Sequence, residues 1–92
     1  MAHFVVTYDL STPGRDYNRL FTYLKRFSHA KPVESVWVIE TSKSAAALRD
    51  EMKMYVDSND KIFIIKASTA NWATSNVPKS ATDWLYQHDE AA

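Results

Sequence analysis

Asp9 closes an apolar run from His3 to Leu10, HFVVTYDL, and is followed at once by the turn-prone Ser11-Thr12-Pro13-Gly14. A carboxylate at the mouth of a strand, just ahead of a helix, is where small α+β domains often hold a metal or a phosphate. Two readings of Asp9 stand side by side. In the first it is a turn residue, accepting hydrogen bonds from the backbone of Ser11 or Thr12. In the second it is a Mg²⁺ ligand, since magnesium keeps several waters and binds through one or two carboxylates plus a substrate phosphate. One aspartate per chain is thin for that role, whereas two brought together across a dimer axis would suffice. A metal held there would polarise a phosphodiester and lower the pKa of a bound water.

Arg15, Arg19 and Arg26 form a second feature. At 100° per residue they fall within about 40° of one another on a helix, opposite its apolar stripe. Between residues 15 and 31 five basic side chains stand against Asp16 alone, whereas Asp83, Asp89 and Glu90 make the tail acidic. Such a ridge is either a solvated helix face or a surface for a phosphate backbone, with affinity that falls steeply with salt. Tyr23 beside it either stacks a base or packs half-buried at the helix edge. Met54, pointing away from the core, is weak support for an interface.

Other chemistries are set aside. A single glycine, Gly14, cannot build a phosphate-cradling loop or a dinucleotide fingerprint. Ser42-Lys43-Ser44 lacks the preceding glycines and reads as a helix cap. His3, His29 and His88 have no ligand spacing and read as surface or strand-end residues. No serine sits in a nucleophile elbow, and without cysteine there is no disulfide, thiolate zinc site or thiol nucleophile.

The elements that must position these residues belong to one domain, because 92 residues can bury only one core. Eleven basic and eleven acidic residues cancel, so binding to nucleic acid or membrane has to come from local patches. No stretch approaches the roughly 20 apolar residues of a membrane helix, and the start does not read as a signal peptide. A cytoplasmic location is the expectation.

After the first strand, Tyr17, Leu20, Phe21, Leu24 and Phe27 share one helical face, which predicts a helix over 13–28 with Thr12 as cap and Pro13 in its first turn. Residues 31–40 read as two short strands bent near Ser35. A second helix is predicted over 44–56, capped by Ser42 or Ser44, with Ala45, Leu48, Met52, Tyr55 and Val56 on one face. Asp57-Ser58-Asn59-Asp60 stops it, and residues 61–68 form the last core strand. This β-α-β-β-α-β order predicts an α+β, ferredoxin-like sandwich, an antiparallel sheet with both helices on one face.

The first and last strands are apolar on both sides, so the second sheet face also needs a cover. A sheet-to-sheet homodimer is the preferred candidate and the tail from Thr69 the other. Residues 1–68 are read as the core and 69–92 as a tail packed on it or on a partner. Trp72 and Trp84 carry too much apolar surface for a frayed end, so docking and a short helix near 79–87 are expected.

The segments Tyr8-Asp9-Leu10, Tyr17 to Phe27, Val33-Glu34-Ser35-Val36-Trp37, Leu48 to Val56 and Asp60 to Lys66 resemble, in order and spacing, the small core subunit of the CRISPR spacer-acquisition complex and the related VapD toxins. Small bacterial and phage proteins labelled SinR-like are similar in the Tyr-Asp-Leu start and the Val-Glu-Ser-Val-Trp segment. The resemblance covers about residues 3–68 and implies a ferredoxin-like fold, a sheet-to-sheet homodimer, and a metal-dependent nuclease or a nucleic-acid scaffold. It implies that Asp9 is the metal ligand and, with Ser35, the catalytic pair. The neutral charge and the Trp-rich tail depart from that family. Three functions are therefore carried forward: a Mg²⁺-dependent nuclease dimer acting on RNA or DNA, a non-catalytic homodimer binding nucleic acid or a protein, and an adaptor that engages a protein through Trp72 and Trp84.

Overall fold

The computed structural model describes residues 1–11 and 16–89. Strands β1 (Ala2–Asp9), β2 (Ser28–Val33), β3 (Val36–Thr41) and β4 (Lys61–Ala67) form one antiparallel sheet in the order β2-β3-β1-β4. Helices α1 (Asn18–Lys25) and α2 (Ala45–Met52) complete the ferredoxin-like β-α-β-β-α-β unit, and α3 (Lys79–Gln87) follows it. No helix among the described residues is long and apolar enough to cross a membrane.

Alternation along β1 divides the sheet into two apolar faces. Phe4, Val6 and Tyr8 point to one side with their cross-strand neighbours Trp37, Ile39, Ile62 and Ile64. Leu20, Tyr23 and Leu24 of α1 and Leu48 and Met52 of α2 close over them, giving a core in which Val6, Leu20, Leu24, Ile39, Leu48 and Met52 are fully buried. Ser44 caps α2, its hydroxyl accepting the Ala47 N–H at 3.1 Å. A 3₁₀ turn, Lys53–Tyr55, ends that helical stretch.

The first helix is shorter than its apolar spacing predicts. Asp16 and Tyr17 lie outside it, and the Asp16 carboxylate accepts the Asn18 N–H at 2.9 Å, as in an Asx-turn. At the other end Arg26 and Phe27 donate three residues back, to Tyr23 and Leu24, which tightens the last turn and releases Ser28 into β2. The predicted cap Thr12 and first-turn Pro13 lie outside the described residues. β2 therefore starts earlier than residue 31, and it bulges between Ala30 and Val33. That bulge holds Pro32, which has no N–H to donate and is tolerated because β2 is an edge strand.

The tail covers part of the second face. α3 packs on β2 and buries Ala81 and Leu85, while Trp84 and His88 reach the ring of His3. Trp72 meets Tyr86 edge-on at 5.0 Å. The helix and the docked tryptophans expected from composition are both present. Cover stops short of β4, where Phe63 is 58% and Ile65 51% exposed.

Candidate functional site

Asp9 is the last residue of β1. By alternation its side chain shares the second face with Val5, Thr7, Phe63 and Ile65, and its register partner is Lys61. It is exposed, and no hydrogen bond or ion pair links its carboxylate to another described residue. The turn after β1 is instead organised by Asp60. One of its oxygens accepts the Ser11 N–H at 2.8 Å, the Ser11 hydroxyl at 3.2 Å and the Tyr17 hydroxyl at 3.0 Å, and the other accepts the Asp57 N–H at 2.8 Å. Partial burial works against this carboxylate, but the donors from Ser11, Asp57 and Tyr17 outweigh it and hold its pKa below the ordinary aspartate value. The capping role considered for Asp9 thus belongs to Asp60. The sequence carried no signal for this beyond the turn-prone Asp57-Ser58-Asn59-Asp60 run; the register that places Asp9 opposite Lys61 sets residue 60 beside the chain leaving β1.

Ser35 lies in the two-residue turn between β2 and β3 with φ of 66°, a left-handed conformation that favours glycine. Because Thr7 pairs with Val36, this turn sits at the Asp9 end of the sheet, one strand away. Beneath it the Trp37 Nε1–H donates to the Tyr8 hydroxyl at 3.0 Å inside the core. That bond ties the Tyr8-Asp9 segment to the Ser35-Val36-Trp37 segment.

The basic ridge lies on the other side of the sheet. Arg15 is outside the described residues. Arg19 and Arg26 are exposed, with their guanidinium groups over the rings of Tyr55 (5.4 Å) and Tyr23 (6.0 Å). Tyr23 is buried in the core, so it packs instead of offering a face to a base. Its hydroxyl donates to Glu51 at 2.6 Å, and Lys43 Nζ donates to the same carboxylate at 3.0 Å. Burial, then the hydrogen bond to Glu51 and its charge, push the Tyr23 pKa far up, while the Tyr23 and Lys43 donors pull Glu51 down. This cluster fastens α1 to α2.

A polar cluster that spacing could not reveal gathers at the opposite end of the sheet. His3, only 5% exposed, donates from Nε2 to Glu40 at 3.0 Å. His88 stacks on Trp84 at 3.9 Å and donates from Nδ1 to the Trp84 carbonyl at 2.7 Å. The Trp84 Nε1–H donates to the Ser28 hydroxyl at 2.9 Å, and that hydroxyl lies 3.4 Å from His88 Nε2. Thr69 donates to the His88 carbonyl. The residues come from β1, β2, β3, the segment after β4, and α3 with its C-cap His88, and acquire a common location only when the sheet forms and the tail docks. Their chemistry is that of an anchor, each polar group engaged with another.

Among the described residues no group of three or more His, Cys, Asp or Glu side chains could hold a metal ion. The described residues of one chain therefore provide no metal cage around Asp9. Magnesium that keeps most of its waters binds through one or two carboxylates, and Asp9 is the carboxylate at this strand end. No protein-family model matches the chain. No solved structure matches it at a significant level.

Proposed function

We propose that the protein acts as a homodimeric nucleic-acid enzyme in which Asp9 from each of two chains holds Mg²⁺ and cleaves a phosphodiester. One observation carries this reading: Asp9 is exposed, opposite Lys61, at the end of the second-face strip that the tail leaves bare, with Phe63 and then Ile65 further along β4. Two copies joined through that apolar strip bring their Asp9 carboxylates towards one axis, which supplies the pair that one chain lacks. Asp9 from each chain would hold the ion, and Mg²⁺ held there would supply polarisation of the phosphodiester and activation of a water. The chain's own contribution is to hold the Asp9 carboxylate at a strand end fixed by the Tyr8–Trp37 bond and to offer the Ser35 hydroxyl nearby for positioning a phosphate oxygen. Residues 1–68 provide this unit, and the tail leaves its working end uncovered.

The test is incubation of wild-type and Asp9→Ala protein with labelled single- and double-stranded RNA and DNA in Mg²⁺, Mn²⁺ or EDTA, with the mass measured by sedimentation. Dimers whose cleavage is lost both in EDTA and in the variant support the reading. A folded dimer that cleaves nothing, or a monomer at all concentrations, refutes it.

A non-catalytic binding homodimer is the second reading. It is favoured by the side on which the basic groups lie, since Arg19 and Arg26 are on the α1 surface and Asp9 is on the opposite face. It predicts salt-sensitive binding of nucleic acid that Arg19→Ala and Arg26→Ala weaken and Asp9→Ala does not. Salt-insensitive capture of a protein lost on Trp72→Ala and Trp84→Ala would instead favour an adaptor.

A further inference from the structure

Between the end of β4 and the start of α3, residues 69–77 cross the second face of the sheet with neither helix nor strand. The segment is tied at both ends. Thr69, buried at its start, donates to the His88 carbonyl, and Leu85 of the helix that follows is buried as well. Trp72 and Val77 are its large apolar residues, and both are partly buried while most of their neighbours are exposed. These two turn towards the sheet. On its outer side the Trp72 ring is braced edge-on by Tyr86 at 5.0 Å.

The packing between segment and sheet does not close. A cavity of about 430 Å³ remains, walled on the sheet side by Val5, Pro32, Val33 and Val38 and on the tail side by Trp72, Val77 and Leu85. Protein interiors keep few voids larger than a water, and the walls of an unfilled gap forfeit their contacts. The size falls instead within the range of about 300–1,000 Å³ found for small-molecule sites, which are mostly apolar with a few placed polar groups. No residue lining this cavity is charged, so an ionic ligand would lose water there without gaining a counter-charge. Its polar side chains come from the tail alone. Among them Asn71, Thr74 and Ser75 hydrogen-bond to no other described residue and are open to a ligand. Because this chain supplies both walls, the space suits a molecule that enters between two layers. The bare strip at Phe63 and Ile65 has only one wall, and a flat protein surface suits it better.

We propose that the cavity between the sheet and residues 69–77 binds a small neutral molecule, mostly apolar, with a hydrogen-bonding group at one end. Its apolar body fills the gap between Val5, Val38 and Trp72, and its polar end meets Asn71, Thr74 or Ser75. The cleavage reading rests on Asp9 and the β4 strip, whereas this site needs the tail and neither of those, so each can fail alone.

The probe is 2-naphthol, titrated into the ¹⁵N-labelled full chain, with naphthalene-2-sulfonate as the same ring system bearing a charge. Expected are saturable shifts at residues 5, 33, 38, 67–77 and 85 and at the Trp72 indole N–H, while the Trp37 indole N–H, bonded to Tyr8 in the core, stays in place. The sulfonate should bind about tenfold more weakly or worse. Two variants fill the space from exposed positions on opposite walls, Val33→Trp and Thr74→Trp. Each should weaken 2-naphthol binding by about tenfold or more, with an unchanged amide spectrum in the α1 and α2 layer reporting an intact fold. The proposal is overturned by the absence of saturable shifts up to the solubility limit, by shifts centred elsewhere, by equal binding of the sulfonate, or by full affinity in both variants. Binding that weakens as protein concentration rises would also overturn it, since a second copy would then occupy the cavity.

Discussion

Replacing Tyr8 by Phe removes a single oxygen and leaves the ring in place, so it isolates the bond that holds the Asp9 end of the sheet. The Trp37 indole N–H that donates to that oxygen at 3.0 Å belongs to a fully buried side chain. Without the hydroxyl it has no acceptor, and an orphaned buried donor costs about 1–3 kcal/mol. In a domain of this size each kcal/mol moves the melting temperature by about 4–8 °C, so a fall of roughly 4–24 °C is expected. Urea unfolding followed by circular dichroism gives the free energy directly, with an unchanged m-value showing that only stability has moved. Trp37→Phe alone will be costly through lost packing, but the double variant should recover about 1 kcal/mol of coupling because neither partner is then left behind. A loss below about 0.5 kcal/mol in Tyr8→Phe, or strict additivity in the cycle, would show that the bond does not support the sheet end.

Acid stability should report on Asp60. Its folded-state pKa lies below the ordinary 3.8, so the unfolded chain takes up the proton first as pH falls; the stabilisation is present above that value and is lost as pH drops through the folded-state pKa. Glu51, lowered from 4.5, acts in the same direction. Asp60→Asn should lower the neutral melting temperature and flatten its decline between about pH 5 and 2, and an acid limb as steep as that of the wild type would refute the role given to Asp60. At the β2–β3 turn, Ser35→Gly should raise stability by about 0.5–1 kcal/mol in urea, because glycine adopts φ of 66° without a Cβ penalty, while Ser35→Ala should give no gain. Equal effects of the two would mean that backbone strain at this position is negligible.

The strands and helices were legible because each carries a strong period. Phe4-Val6-Tyr8 and Leu20-Leu24-Leu48-Met52 land in the core as their spacing requires, and the apolar surface of Trp72 and Trp84 pointed to a docked tail with a helix near 79–87. What the chain hid is the set of contacts that depend on register and on the tail. Asp60 and Asp9 are both turn-prone aspartates beside strands, and only the β1–β4 pairing shows which of them holds the turn. His3, Glu40 and His88 carry no motif because they meet across almost the full chain. Tyr23 read as a ridge residue since its hydroxyl lets it sit at the rim, yet Glu51 supplies an acceptor that allows the ring to be buried. Asp9 itself was found as a strand-end carboxylate, and its exposure is what the structure adds.

The contact between His3 and His88 also sets an order in time. It closes a loop of nearly the entire chain, and long loops are the slowest to close because they confine the most chain. During synthesis the segment carrying Trp84 and His88 leaves the ribosome after β1 to β4 are available to pair. Until the tail docks, Val5 and Val38 lack the neighbours that residues 69–77 and Leu85 bring to that face. The tail is thus a late clasp, and the nascent protein passes through an interval in which its second face is stickier than that of the finished molecule.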